Sequence, residues 1–212
     1  MKTILCFGDS NTWGCVPLTG TQPLRRYRPS QRWPGVLRRE LGDGYWIVEE
    51  GLNGRTTVLD DALEPHRNGK DLLLPSLITH QPVDLAIVML GTNDLKRQFG
   101  VDARDVAAGA GMLLDIVSAS ACGPEESAPQ ALLVCPAPVG RLDLFAEEFA
   151  GAVERSRDLA RHYAAVADAR SCAFVDAGAH VRSSDIDGIH LDAPAHERLG
   201  VVIAQQVRGL LA

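Results

Sequence analysis

The chain has 212 residues, of which 46% are hydrophobic and 23% charged, and its formal net charge is -6. That length and balance fit one globular domain over 1–212 with a core of its own, and exclude a disordered or fibrous chain. The acidic balance argues against nucleic acid or an anionic membrane as partner, and no apolar stretch reaches the length of about 18 residues that a transmembrane helix needs.

The five cysteines (Cys6, Cys15, Cys122, Cys135 and Cys172) are odd in number and lack a Cys-x-x-Cys spacing. They point to neither a disulfide framework nor a zinc site, and Cys6, Cys135 and Cys172 read as small buried thiols beside apolar runs. A cytoplasmic location is expected, since the apolar run 3–7 is too short for a signal-peptide core.

In chain order, short β-rich runs at 3–7, 45–49, 85–90, 131–135 and 173–175 alternate with helical patterns at about 33–42, 70–80, 103–121, 144–168 and 193–211. Several strands are apolar on both faces, which suits a parallel sheet covered on both sides. The alternation predicts a three-layer α/β/α domain with a five-stranded parallel sheet and right-handed crossovers. Pro34 falls near the first helix start and Asp192 just before the last helix, both favoured positions. Two loops, 17–32 and 59–69, are long enough to shape a pocket or a subunit contact.

Four segments carry the chemistry: Gly8-Asp9-Ser10-Asn11, Asn53-Gly54-Arg55, Gly91-Thr92-Asn93-Asp94 and Asp187-Gly188-Ile189-His190. The first three follow strand-length apolar runs, and an open parallel sheet binds ligands outside the carboxyl ends of its strands. Ser10 in a strand-to-helix turn is a candidate nucleophile, although the same tetrapeptide serves as a turn and helix cap. His190, three residues after Asp187, is the candidate base, with Asp187 fixing its tautomer. The backbone amides of Ser10 and Gly54 and the side-chain amide of Asn93 are candidate donors to a tetrahedral oxyanion. No metal or other cofactor is expected.

With these blocks in this order, the chain resembles the SGNH hydrolases of the GDSL esterase/lipase superfamily. The stretches Ile4–Ser10, Glu49–Leu52, Arg55–Thr57 and Met89–Asp94 are similar to the arylesterase subgroup that includes a mycobacterial acyltransferase. The resemblance implies a flavodoxin-like strand order, with Ser10, His190 and Asp187 as catalytic triad. It implies Ser10, Gly54 and Asn93 as oxyanion hole, a small-molecule ester substrate and a homo-oligomer. The expected reaction is hydrolysis of short aryl or alkyl esters through an acyl-serine. Deacetylation of acetylated sugars, acyl transfer to alcohols and a non-catalytic binding module are the alternatives.

Two departures bear on specificity: Asn11 replaces the usual leucine, and Cys15 stands where the acyltransferase has tryptophan. The smaller residue at 15 would open the acyl pocket to water, favouring hydrolysis. Asn11, Trp13, Cys15, Thr92 and Ile189 are the candidate pocket residues. His66, His80, His162 and His196 are read as structural, and Arg25, Arg26 and Arg28 as a solvated loop or subunit contact.

Overall fold

The computed structural model describes residues 1–20 and 22–212. Its strands are β1 (Lys2–Gly8), β2 (Tyr45–Gly51), β3 (Leu85–Met89), β4 (Gln130–Cys135) and β5 (Ala173–Asp176). All neighbours pair in parallel, in the order β2-β1-β3-β4-β5, which is the flavodoxin-like order expected.

Successive strand side chains point to opposite faces of a sheet. In β1, Leu5 and Phe7 enter one apolar cluster while Ile4 and Cys6 enter the other, and all four are fully buried. The helices α3 (Gly69–His80), α4 (Ala103–Ala119) and α6 (Leu159–Asp168) cover the first face through Leu73, Leu113 and Tyr163. The other face is covered by α2 (Trp33–Leu41) and α7 (Ala193–Leu210), which bury Trp33, Leu37, Leu199 and Ile203. Each such side chain stabilises the fold by about 1.5–3 kcal/mol relative to exposure, so the three-layer architecture follows from the two-faced strands. At the α2–α7 contact a Cβ on Gly200 would lie 2.5 Å from the Val36 Cβ, so glycine there sets the close approach of the helices.

Helix ends follow the local signals. Pro34 lies in the first turn of α2, Asp102 and Asp105 form a capping box on α4, and Asp192 accepts the Ala195 N–H at 2.8 Å to open α7. The helix expected over 144–168 is a correction. Only a short α5 (Ala152–Arg157) and α6 are helical there, and the residues before them form turns. Gly151 takes a left-handed φ of 76°, which breaks the pattern, and Phe145 and Phe149 pack edge to face instead.

The sheet order reverses between β1 and β3, and the crevice beyond their carboxyl ends is the usual ligand position in such sheets. All five cysteines are free. Among the described residues no helix is long and apolar enough to cross a membrane.

Candidate active site

The chain leaves β1 at Gly8 and turns at once into the short helix α1 (Ser10–Trp13). Asp9 caps that turn by accepting the Asn11 N–H at 2.9 Å, which leaves Ser10 as the first helical residue, beneath the crevice. The second element comes from the far end of the chain. Asp187 Oδ1 accepts the backbone N–H groups of Ile189 and His190 at 3.0 and 2.9 Å, folding the loop into a tight turn. Gly188 sits in that turn at φ 74°, where a Cβ would fall 2.2 Å from the Arg141 carbonyl oxygen, so the position admits only glycine.

The turn brings the imidazole between the other two side chains. His190 Nδ1 lies 2.7 Å from Asp187 Oδ2, and His190 Nε2 lies 3.1 Å from Ser10 Oγ. Asp187 Oδ2 also accepts the Leu18 N–H at 2.8 Å. Burial works against ionised Asp187, but the His190 bond and the backbone donors outweigh it and hold its pKa below the usual carboxylate value. Burial also works against a charged His190. The pull of Asp187 and the neighbouring Cys15 sulfur exceeds it and raises the imidazole to about 9. Asp9, wholly buried behind the Ser10 turn, is pushed up to about 6 by desolvation.

The remaining donors come from the ends of β2 and β3. Gly54 turns at φ 77°, and Asn93 opens the one-turn 3-10 segment Asn93–Leu95. Asn93 Nδ2 donates to the Arg55 carbonyl at 3.1 Å, and Asp94 accepts from both the backbone and hydroxyl of Thr57. The two loops are thereby stitched together, with Gly54 and Asn93 facing one pocket. Desolvation raises Asp94 to about 6, and the Thr57 bonds oppose that rise.

The pocket encloses about 240 Å³ and is lined at its base by Ser10, His190, Gly54 and Asn93. Cys15 and Ile189 line it beside His190. Asn11, Trp13 and Thr92 are not among the lining residues. Asn11 is buried and turned onto the His190 loop. Trp13 lies under the Arg26 guanidinium, 4.8 Å from its ring centre. Thr92 is buried, and its carbonyl accepts the Leu95 N–H. None of His66, His80, His162 or His196 lines this pocket. His196 is fully buried, accepting the Trp33 N–H through Nδ1, and desolvation lowers it to about 3.

The outer pocket holds residues that the sequence reading did not single out: Leu18, Leu24, Glu64, Lys96, Glu148, Phe145 and Phe149. Lys96 Nζ meets Asp61 at 3.3 Å, Glu64 at 2.8 Å and Glu148 at 3.0 Å, tying three segments around the mouth. Lys96 follows Asn93 by three residues and caps the same 3-10 turn, the one signal by which it was detectable. Phe145 was hidden by the helix expected around it. Its ring stands edge-on to His190 at 6.2 Å between centres.

Residues 6–198 match the model of the GDSL-like lipase/acylhydrolase family. No curated protein matches the chain. Among solved structures, the aryl esterase of M. smegmatis is 42% identical, with a TM-score of 0.95 over 99% of this chain and 100% of that one. A carbohydrate acetylesterase from Sinorhizobium meliloti is also 42% identical, with a TM-score of 0.96 over 99% and 100% of the two chains. A lipolytic G-D-S-L family protein from Veillonella parvula, 16% identical with a TM-score of 0.67 over 98% of each chain, shares the fold alone.

Proposed function

The chain belongs to the GDSL-like lipase/acylhydrolase family, and from that premise we propose that it is a carboxylic ester hydrolase using Ser10 as nucleophile, His190 as base and then acid, and Asp187 as orienting carboxylate. The observation that carries the reading is the unbroken relay from Asp187 through His190 to Ser10, at 2.7 and 3.1 Å.

In this mechanism Ser10 Oγ attacks the ester carbonyl carbon while its proton passes to His190 Nε2. Asp187 stabilises the imidazolium and fixes the ring tautomer. Negative charge on the carbonyl oxygen is met by the backbone N–H of Ser10 and Gly54 and by Asn93 Nδ2. Asn93 already spends one amide proton on Arg55, which aims the second. Collapse expels the alcohol with the His190 proton, leaving an acyl-serine. Water, deprotonated by His190, then releases the acid and regenerates Ser10.

A pocket of about 240 Å³ supports short acyl groups, and Cys15 on its wall leaves room for water beside the acyl carbonyl. Deacetylation of acetylated sugars is the second reading, supported by Glu64 and Glu148, whose side chains are 46% and 44% exposed at the mouth and accept hydrogen bonds from hydroxyls. Acyl transfer would use the same acyl-serine with an alcohol in place of water. A homo-oligomer is supported by Leu24 and Leu63, 53% and 80% exposed near the mouth, and light scattering giving a monomer mass would end that part.

The test is hydrolysis of p-nitrophenyl esters from acetate to decanoate by wild type and Ser10→Ala, with product analysis in the presence of alcohol. Serine-dependent turnover falling with chain length is expected. Undiminished turnover by Ser10→Ala would overturn the mechanism.

A further inference from the structure

Asn11 was expected to present a polar group to substrate, and its side chain does something else. Its Nδ2 donates to the Ile189 carbonyl at 3.2 Å, and its Oδ1 accepts the Leu191 N–H at 2.8 Å. These are the two peptide groups on either side of His190. One planar amide therefore brackets the backbone of the base, from the residue next to the nucleophile, across 178 and 180 positions of sequence.

Apart from the Gly140 N–H, which donates to the Gly188 carbonyl at 2.7 Å from the segment after β4, most other bonds on this stretch come from within its own loop. The Ile189 and His190 N–H groups go to Asp187 Oδ1, and the His190 carbonyl accepts the Ser184 N–H at 2.8 Å. Those bonds give the loop its shape but do not fix where it stands relative to Ser10. The Leu18 amide reaches Asp187 from the segment after α1, farther along the chain from the nucleophile. Asn11, Ile189 and Leu191 are 6%, 4% and 2% exposed, so water does not compete for the bracket. An amide held at both ends has one orientation, and Asn11 sits in the first turn of α1 with its own N–H fixed by Asp9.

We propose that Asn11 is a positioning residue that sets the Ser10–His190 register by clamping both peptide groups around the base to the nucleophile's helix. The proposal rests on the triad reading above. Leucine at this position can fill the space but cannot make either bond. The buried Ile189 carbonyl and Leu191 N–H would then seek other partners, drawing His190 off its line to Ser10. Such misplacement acts on the chemical step, where a shift of about 1 Å lowers rate by about 100-fold. It leaves the pocket wall at Cys15, Gly54 and Asn93 in place.

The experiment compares wild type, Asn11→Leu, Asn11→Asp and Ser10→Ala on p-nitrophenyl acetate over a range of pH, with folding followed by circular dichroism. Asn11→Leu is expected to lower kcat by about 10- to 100-fold with KM within about twofold. In Asn11→Asp an ionised carboxylate still accepts from Leu191 but cannot donate to Ile189. Its activity relative to wild type should therefore rise as pH falls and the introduced carboxyl regains a proton to donate. A folded Asn11→Leu with kcat within about twofold of wild type would overturn the proposal. Should Asn11→Leu not fold, a pH-independent ratio for Asn11→Asp would overturn it alone. Activity persisting in Ser10→Ala would instead indict the triad reading, so the two failures are separable.

Discussion

The base loop and the pocket mouth border one cavity but are held together differently. Asp187 and His190 are 0% and 6% exposed, and every polar atom of the relay has a short partner within it. At the mouth, Lys96 is buried while two of its three carboxylate partners, Glu64 and Glu148, stay half open to water. Exposed pairs of that kind contribute about 0–1 kcal/mol, whereas the dry relay fixes geometry. On the proposed mechanism the difference separates two roles: buried turns at strand ends would set the chemistry, and the more open rim would be where substrate choice is tuned.

Substitutions at each end test that division. Ser10→Ala should remove up to about a million-fold of kcat, the scale seen when a triad nucleophile is deleted, in p-nitrophenyl acetate assays. Asp187→Asn should lower kcat by about 10,000-fold, because an amide in place of the carboxylate favours the wrong tautomer. Asn93→Ala should cost about 100- to 1000-fold in kcat with little change in KM, measured by steady-state kinetics.

A milder effect concerns pH. With His190 raised to about 9 by its partners, the free enzyme is expected to carry imidazolium near neutrality, a form that cannot accept the Ser10 proton. The profile of kcat/KM should therefore rise with pH and level off above about 9, losing about tenfold per unit below it. A bare His190 titrating near its ordinary value would give a plateau already at neutral pH. At the rim, Lys96→Met leaves the buried Asp61 carboxylate without its counter-charge, with only the Leu63 and Glu64 N–H bonds remaining on it. It should lower stability by about 3 kcal/mol, the low end for breaking a buried pair, as read by chemical denaturation. Its effect on kcat should be smaller than that of Asn93→Ala.

The same division governed what was legible in the sequence. The strands could be read from two-faced apolar runs, and Ser10 and the Asp187–His190 pair stood out through their turns and spacing, whereas the sheet order was implied only by the family resemblance. The mouth could not be read, because Lys96, Asp61, Glu64 and Glu148 meet only after three loops converge, and a charged loop residue gives no sign of its partner. The helix expected over 144–168 failed at Gly151, where one left-handed residue outweighs an otherwise helical pattern. Asn11 stands out in the sequence as a departure from leucine, but its side chain bonds the His190 loop and is not among the pocket-lining residues. A turn motif does not reveal which way a four-residue helix presents its second side chain.

The most direct test of the central claim is to inactivate the enzyme with a small organophosphate and map the adduct by peptide mass spectrometry. A single adduct on Ser10, absent from Ser10→Ala, with loss of ester hydrolysis in proportion to labelling, is the predicted result. Inactivation accompanied by an adduct on Cys15, or full labelling of Ser10 with hydrolysis intact, would contradict it.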